Sequence, residues 1–374
     1  MIPLPFSFLS KVILVFIILF NPNATSSGNF GYKVKMSNDG LSMLVSTLAE
    51  AGTTRRVDYY KRTTGTNIWA YQFKIDSTDI NFGSCLGINA DGHYFVIGAT
   101  DKVNTYTYTG GSTYTAQTPI TGIVGNTFGK SCDLSAGLTT PTLAVGDTLY
   151  DRSGGWGNDG AIYIYNSSNG TYTFKQILQN TASISPNNQF GSNVSIGPTG
   201  SEVGASAVGS TKPMQIFFYL NTDTNWYIDF TVAMSYPGKI SIGAGNNIAL
   251  GNNNNIEIYR YTTAWSLSKT IAFTARPNSI YFTDATATTV GQYLIVGFVD
   301  CSTNGCVQIF YENPINTWIN KKQLESPDLT NGRSYGYDVT GNKNASYFSV
   351  GAPSNNSSGV NNSGAVYVYD MSKI

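Results

Sequence analysis

Few side chains in this sequence are of the types that run a reaction, and their spacing limits the chemistry sharply. Hydrolysis of a glycosidic bond needs two carboxyl groups facing one another across a cleft. Asp133 and Asp338 are the acids on the short alternating segments SCDLS (131–135) and YDVTG (337–341), so they alone could pair across a channel. His93 is the single histidine, which excludes centres built from two imidazoles, and with them most zinc, copper and non-haem iron sites. It follows the NADG turn (89–92) and reads as a solvent-facing loop residue. A G-x-S-x-G nucleophile elbow is missing, and one histidine leaves little for a Ser-His-Asp triad. The expectation is a protein that is not an enzyme and has no cofactor or bound metal. A carbohydrate-active enzyme stands third, behind two binding functions.

Composition narrows the partners. Lys and Arg number 22, Asp and Glu 22, and only 12% of residues are charged. A nucleic-acid binder needs a basic footprint and a peripheral membrane protein a polybasic run, and neither is present. With 41% hydrophobic and 13% aromatic residues, the chain can bury a large core. Residues 1–26 read as a secretory signal peptide: Lys11, the unbroken apolar run Val12–Phe20, then the small residues Ala24 and Ser26 before a cut. Nothing further along is long and apolar enough to span a bilayer. The mature chain, 27–374, is therefore expected to be a monomer that is secreted or held in the secretory lumen. Asn-X-Ser/Thr triplets at Asn166, Asn169, Asn193, Asn344, Asn355, Asn356 and Asn361 agree with that route as glycosylation sites. Their crowding at 355–361 marks an exposed loop.

The elements that position these residues are repeats. An aromatic-Gly or related pair recurs at Phe30-Gly31, Phe82-Gly83, Phe128-Gly129, Phe190-Gly191, Pro237-Gly238 and Tyr335-Gly336, with a degenerate copy near Ser279-Ile280. The mean period is about 51 residues, in the range of propeller blades. Each unit repeats one internal order. A second apolar strand ends near Gly, as in FVIGAT (95–100) and FSVGAP (348–353). An aromatic and β-branched third strand follows, as in AIYIY (161–165), and then a fourth such as WAYQF (69–73). No stretch carries a 3.6-residue apolar period. The expected fold is all-β: one domain over 27–374, a seven-bladed β-propeller of four-stranded blades beginning near 30, 82, 128, 190, 237, 280 and 335.

The unit resembles the FG-GAP repeat of integrin α-subunit propellers. Its best copy is YGYDV (335–339), FSVGAP (348–353) and SGAVYVY (363–369), and the resemblance runs over residues 30–369. It implies a propeller with a binding or adhesion role toward an extracellular protein or glycan. Integrin propellers also bind calcium in first-to-second-strand loops of the type D-x-D/N-x-D-G. The equivalent loops here are SNDG (37–40), NADG (89–92), SAGL (135–138), GPTG (197–200) and GNKN (341–344), none with more than one acid. Calcium needs six to eight oxygens, so Asp39-Gly40 and Asp91-Gly92 read as plain turns. Integrin-like propellers close their ring with an N-terminal strand. The seventh unit here stops after its third strand, and only Phe20–Asn29 is at hand to complete it: either the signal is cut earlier, or the last blade keeps three strands and a blunt edge, and the sequence leaves both open.

Cys301 and Cys306 flank a short hairpin loop, and an oxidising compartment would bridge them. Cys85 and Cys132 lie on inner strands of adjacent blades, and either a second bridge or two buried thiols fits that placement. The longest loop between second and third strands is DTLYDRSGGWGNDG (147–160). Its Tyr150, Asp151, Arg152 and Trp156 are the aromatic and charged types that dominate binding hot spots, and they are the candidate ligand-binding residues. A lectin with sugar sites between blades is the alternative function.

Overall fold

The computed structural model describes residues 16–22, 27–48, 54–122, 127–151, 157–180, 187–207, 213–219, 225–234, 238–283, 291–328, 334–356 and 359–374. Its strands form antiparallel meanders, each running from an inner strand outward. Taken in chain order, the inner strands are Phe30–Met36, Leu86–Ile88, Ser131–Leu134, Asn193–Ile196, Ile240–Gly243, Ser279–Phe282 and Asp338–Gly341, one to each sheet. The expectation of seven four-stranded blades needs correction: six sheets have four strands, and the second has five. In that sheet Thr113–Ala116 and Ile120–Thr121 both pair with the strand Lys102–Gly110. They flank Pro119, which has no N–H to give a ladder, so the outermost strand is broken in two.

Of the two alternatives left open by the sequence, the last sheet shows the complete one, with four strands. Phe16–Phe20 pairs antiparallel with Ala365–Asp370, Phe16 opposite Tyr369 and Phe20 opposite Ala365. The alternation of a strand sends Phe16 and Ile18 against a cluster holding Tyr367 and Tyr369. Ile17 and Leu19 pack on the opposite face, with Val34 and Val45 of the first sheet. Just beyond, the Asn21 side-chain carbonyl accepts from the buried Arg56 guanidinium at 3.0 Å, and Arg56 also pairs with Asp58 at 2.9 Å. Part of the expected signal segment is thus a strand of the fold; residues 1–15 and 23–26 lie outside the described residues.

Neighbouring sheets meet through the recurring glycines. Phe30, Phe82, Phe128, Phe190 and Tyr335 are at most 1% exposed. The glycines after them, Gly31, Gly83, Gly129, Gly191 and Gly336, have φ from +85° to +92°, which a side chain would resist. The carbonyls of four of them press onto a glycine near the end of the second strand of the preceding sheet, while Gly83 lies against Ser46. A Cβ on Gly98, Gly146, Gly297 or Gly351 would run into the carbonyl oxygen of Gly129, Gly191, Gly336 or Gly31 respectively. Pro237, the residue before Gly238, lies outside the described residues.

Inner strands are joined by a second device. An inner strand has one edge on the ladder and the other toward the axis, where N–H groups lack a backbone partner. Side chains of the preceding inner strand accept from them. Val34 N–H donates to Asp338 (2.9 Å), Ile196 to Asp133 (3.2 Å), Ile242 to Ser195 (3.1 Å), Phe282 to Ser241 (3.0 Å) and Val339 to Ser279 (3.1 Å).

Three stability outcomes follow. Gly146→Ala should lose about 3 kcal/mol in chemical denaturation, because backbone rather than a movable side chain blocks the new methyl. Gly65→Ala, with nothing within 4 Å, should lose only the roughly 1–2 kcal/mol of left-handed backbone strain. A chain beginning at Phe16 should also melt higher than one beginning at Ser27, which leaves the Ala365–Asp370 edge unpaired and open to association.

Candidate functional site

Two regions could receive a ligand: the face carrying the loops between second and third strands, and the channel along the axis. On the face, among the described residues, such loops lie beside the linker entering the next sheet in two clear cases. Asn187 N–H donates to Gly157 O and Gln189 N–H to Asn158 O, both at 2.9 Å. Ser27 and Asn29 N–H reach Asn361 and Asn362 O in the same way, again at 2.9 Å.

The candidate residues of the long loop do not form one exposed cluster in the described residues. Tyr150 is half-buried, its ring edge-on to Tyr163 at 6.1 Å, so it is a packing residue rather than an open anchor. Asp151 is exposed and accepts from Asn158 N–H at 2.5 Å, which closes the loop's return. Arg152 and Trp156 lie outside the described residues. At the base of the loop Asp147 is buried, accepting from Thr127 Oγ1 (2.8 Å) and Leu149 N–H (3.3 Å). Burial pushes its carboxyl up from the usual range, against the lowering effect of those donors.

Asp133 and Asp338 both line the channel, and each carboxylate is held by neighbouring groups. Asp338 Oδ1 accepts from Lys33 (3.4 Å) and Ser279 Oγ (3.0 Å), and its Oδ2 from Val34 N–H. Asp133 Oδ1 accepts from Lys35 (2.7 Å) and Leu134 N–H (3.0 Å), and its Oδ2 from Ile196 N–H. All four oxygens are engaged, and the two acids sit at different levels: Asp338 opposes Gly351, Asp133 opposes Ala144.

The channel is a cavity of about 480 Å³ along the inner strands. Lys33, Lys35, Lys130 and Lys239 all line it, a gathering that sequence reasoning missed. The signal was present in KVKMS and in Gly129-Lys130 and Gly238-Lys239, but a lysine on a strand looks like a solvated face until the strand's position is known. Burial is the largest effect on Lys239, and Lys33 adds to it; against the pull of Asp338 they lower its pKa to about 8.

Both cysteine pairs are bonded. Cys85–Cys132 joins the second and third sheets with Cα atoms 5.5 Å apart, and Cys301–Cys306 closes its hairpin with Cα atoms 5.9 Å apart. The turn acids are used locally: Asp39 accepts from Ser37 Oγ (2.5 Å) and Leu41 N–H (2.8 Å), Asp91 from His93 N–H (3.0 Å). His93 is half-buried rather than fully solvent-facing, with its ring 4.6 Å from that of Tyr94.

The glycosylation triplets divide by place. Asn166, Asn169, Asn344 and Asn361 are exposed, and Asn356 is half-exposed with its side chain accepting from Asn362 N–H. Asn355 is 1% exposed and donates to the Tyr367 hydroxyl at 3.2 Å, so the loop at 355–361 is exposed only beyond it. Asn193 lines the channel and donates to Ser206 Oγ at 3.1 Å, a position that a glycan could occupy only by filling that space.

No family model matches the chain, and no curated protein does. Solved structures do. Sqt1 from Chaetomium thermophilum superposes with a TM-score of 0.56 at 12% identity, over 90% of this chain and 81% of that one. A chain of the mitotic checkpoint complex superposes with a TM-score of 0.61 at 12% identity, over 95% of this chain and 93% of that one. At such identity the likeness shows the fold alone: the chain is a β-propeller.

Reducing the protein should separate the two disulfides by their effect. Replacing Cys85 and Cys132 with Ser should lower unfolding free energy by about 4 kcal/mol on the chain-entropy model, the Cys301–Cys306 pair by about 2. Denaturation with and without reductant measures both.

Proposed function

We propose that the chain is an exported, FG-GAP-like propeller that works as a monomeric, non-enzymatic binding module for an extracellular protein or glycan. The observation that carries this is the engagement of Asp133 and Asp338, whose four oxygens already hold lysines, a serine and inner-strand N–H groups. An acid–base pair needs carboxyls free to exchange protons with a substrate. What remains is a rigid ring that displays loops on one face, the arrangement on which recognition residues are commonly carried.

Export is supported by two disulfides and by exposed Asn-X-Ser/Thr sites. Among the described residues no helix is long and apolar enough to cross a membrane. The FG-GAP resemblance is supported by the aromatic-Gly pairs and by the glycine contacts they make. A lectin with sugar sites between blades is the weaker reading, because clusters such as Leu44, Val57, Phe82 and Phe95 fill the space between the first and second sheets.

The test is binding of the purified chain to arrayed glycans and extracellular proteins, with and without a calcium chelator. Binding that survives chelation, with Asp133→Asn binding equally well yet melting lower, is the expected result. Turnover of a glycosidic substrate that Asp133→Asn or Asp338→Asn abolishes would overturn the non-enzymatic assignment.

A further inference from the structure

The axial channel carries more positive charge than its architecture requires. The chain as a whole has a formal net charge of +0, yet the channel wall holds four lysines against two aspartates. Those aspartates pair with Lys33 and Lys35, and their remaining acceptor positions are taken by Ser279 and backbone N–H groups. Lys130 and Lys239 form no ion pair among the described residues.

Lys239 is the informative one. Its carbonyl accepts from Gly251 N–H, so it stands across from the glycine of its second strand. Ser131, Ser279 and Asp338 hold the same level on their own sheets, opposite Gly146, Gly297 and Gly351, and Asn193 does so opposite Ser206. Short side chains therefore suffice for packing at this level. A lysine there brings an ammonium into a partly desolvated space beside Lys33, with only the Asn193 carbonyl oxygen to receive it, at 3.3 Å. Such a charge is unfavourable unless something of opposite sign joins it. A second cavity of about 240 Å³ shares Lys239 and Asn278 with the channel and adds Arg276 to the same basic wall.

We propose that the axial channel binds a compact dianion, a phosphate group or a small dicarboxylate, held by Lys239 and Lys130 with the Asn193 amide as a neutral partner. The geometry suits this class. Lysine ammoniums act as point charges that accept either anion, and the cavity volume lies within the range of small-molecule sites. A small anion is a different probe from a macromolecule on the loop face, so the two kinds of binding can be tested apart. Lys33 and Asp338, the charged groups facing Lys239 from the first and last inner strands, act oppositely on it. With its pKa about 8, Lys239 is charged at neutral pH and loses its proton as pH rises, so affinity should fall through that range.

The experiment is isothermal titration of the purified full chain with inorganic phosphate and, separately, with succinate, at low ionic strength. One saturable site is expected for at least one probe, and the stronger of the two assigns the ligand class. Lys239→Met and Lys130→Met should each weaken binding about tenfold. Lys322→Met, on an exposed outer strand, should leave it unchanged. Lys130 is exposed, so its variant keeps the test valid if Lys239→Met fails to fold. Absence of saturable binding to both probes would overturn the proposal, as would equal affinity in Lys130→Met and the unaltered chain.

Discussion

The structure depends on how the axial edge of each inner strand is satisfied. A propeller brings the inner strands together around an axis where no further strand can fit. Their outward N–H groups would stay unpaired, a penalty comparable to a lost hydrogen bond for each buried group. This chain answers with side chains. Asp338 serves Val34, Asp133 serves Ile196, Ser195 serves Ile242, Ser241 serves Phe282 and Ser279 serves Val339. Between the second and third sheets the Cys85–Cys132 bridge makes the join covalent. The same constraint explains the glycines, since sheets must approach closely for a short Ser or Asp to reach the next strand. It also gives the two carboxylates a structural task, since Asp338 and Asp133 are among these acceptors.

The sheets are legible in the amino-acid sequence because period-two alternation and aromatic-Gly pairs report local geometry. Phe16–Phe20 shows where that legibility ends. A strand buried on both faces and the apolar core of a signal peptide are both unbroken runs of large hydrophobic residues, so FIILF fits either role. Only the pairing with Ala365–Asp370, a partner almost a whole chain away, distinguishes them. Pro119 is readable as a strand breaker, but the two fragments beside it require the register.

The candidate site is less legible than the fold, for a physical reason. The loop residues Tyr150 and Asp151 have suitable types, yet type does not say whether a ring packs inward, as Tyr150 does on Tyr163. Asn355 looks like a loop residue by composition and is buried under Tyr367 because the chain turns back there. The lysines of the channel are hidden differently. Lys33 with Lys35, Lys130 and Lys239 come from three stretches far apart in sequence, and ring closure alone brings them to one cavity. Loops gathered on one face and a charged axial channel are thus two consequences of one closed ring.

Residue-resolved hydrogen exchange tests the central claim most directly. If side chains of each preceding strand hold the axial edge, the amides of Val34, Ile196, Ile242, Phe282 and Val339 exchange as slowly as core ladder amides such as Val96. They would then open only with global unfolding. Exchange of these five at the rate of solvent-exposed amides, while Val96 stays protected, would contradict it.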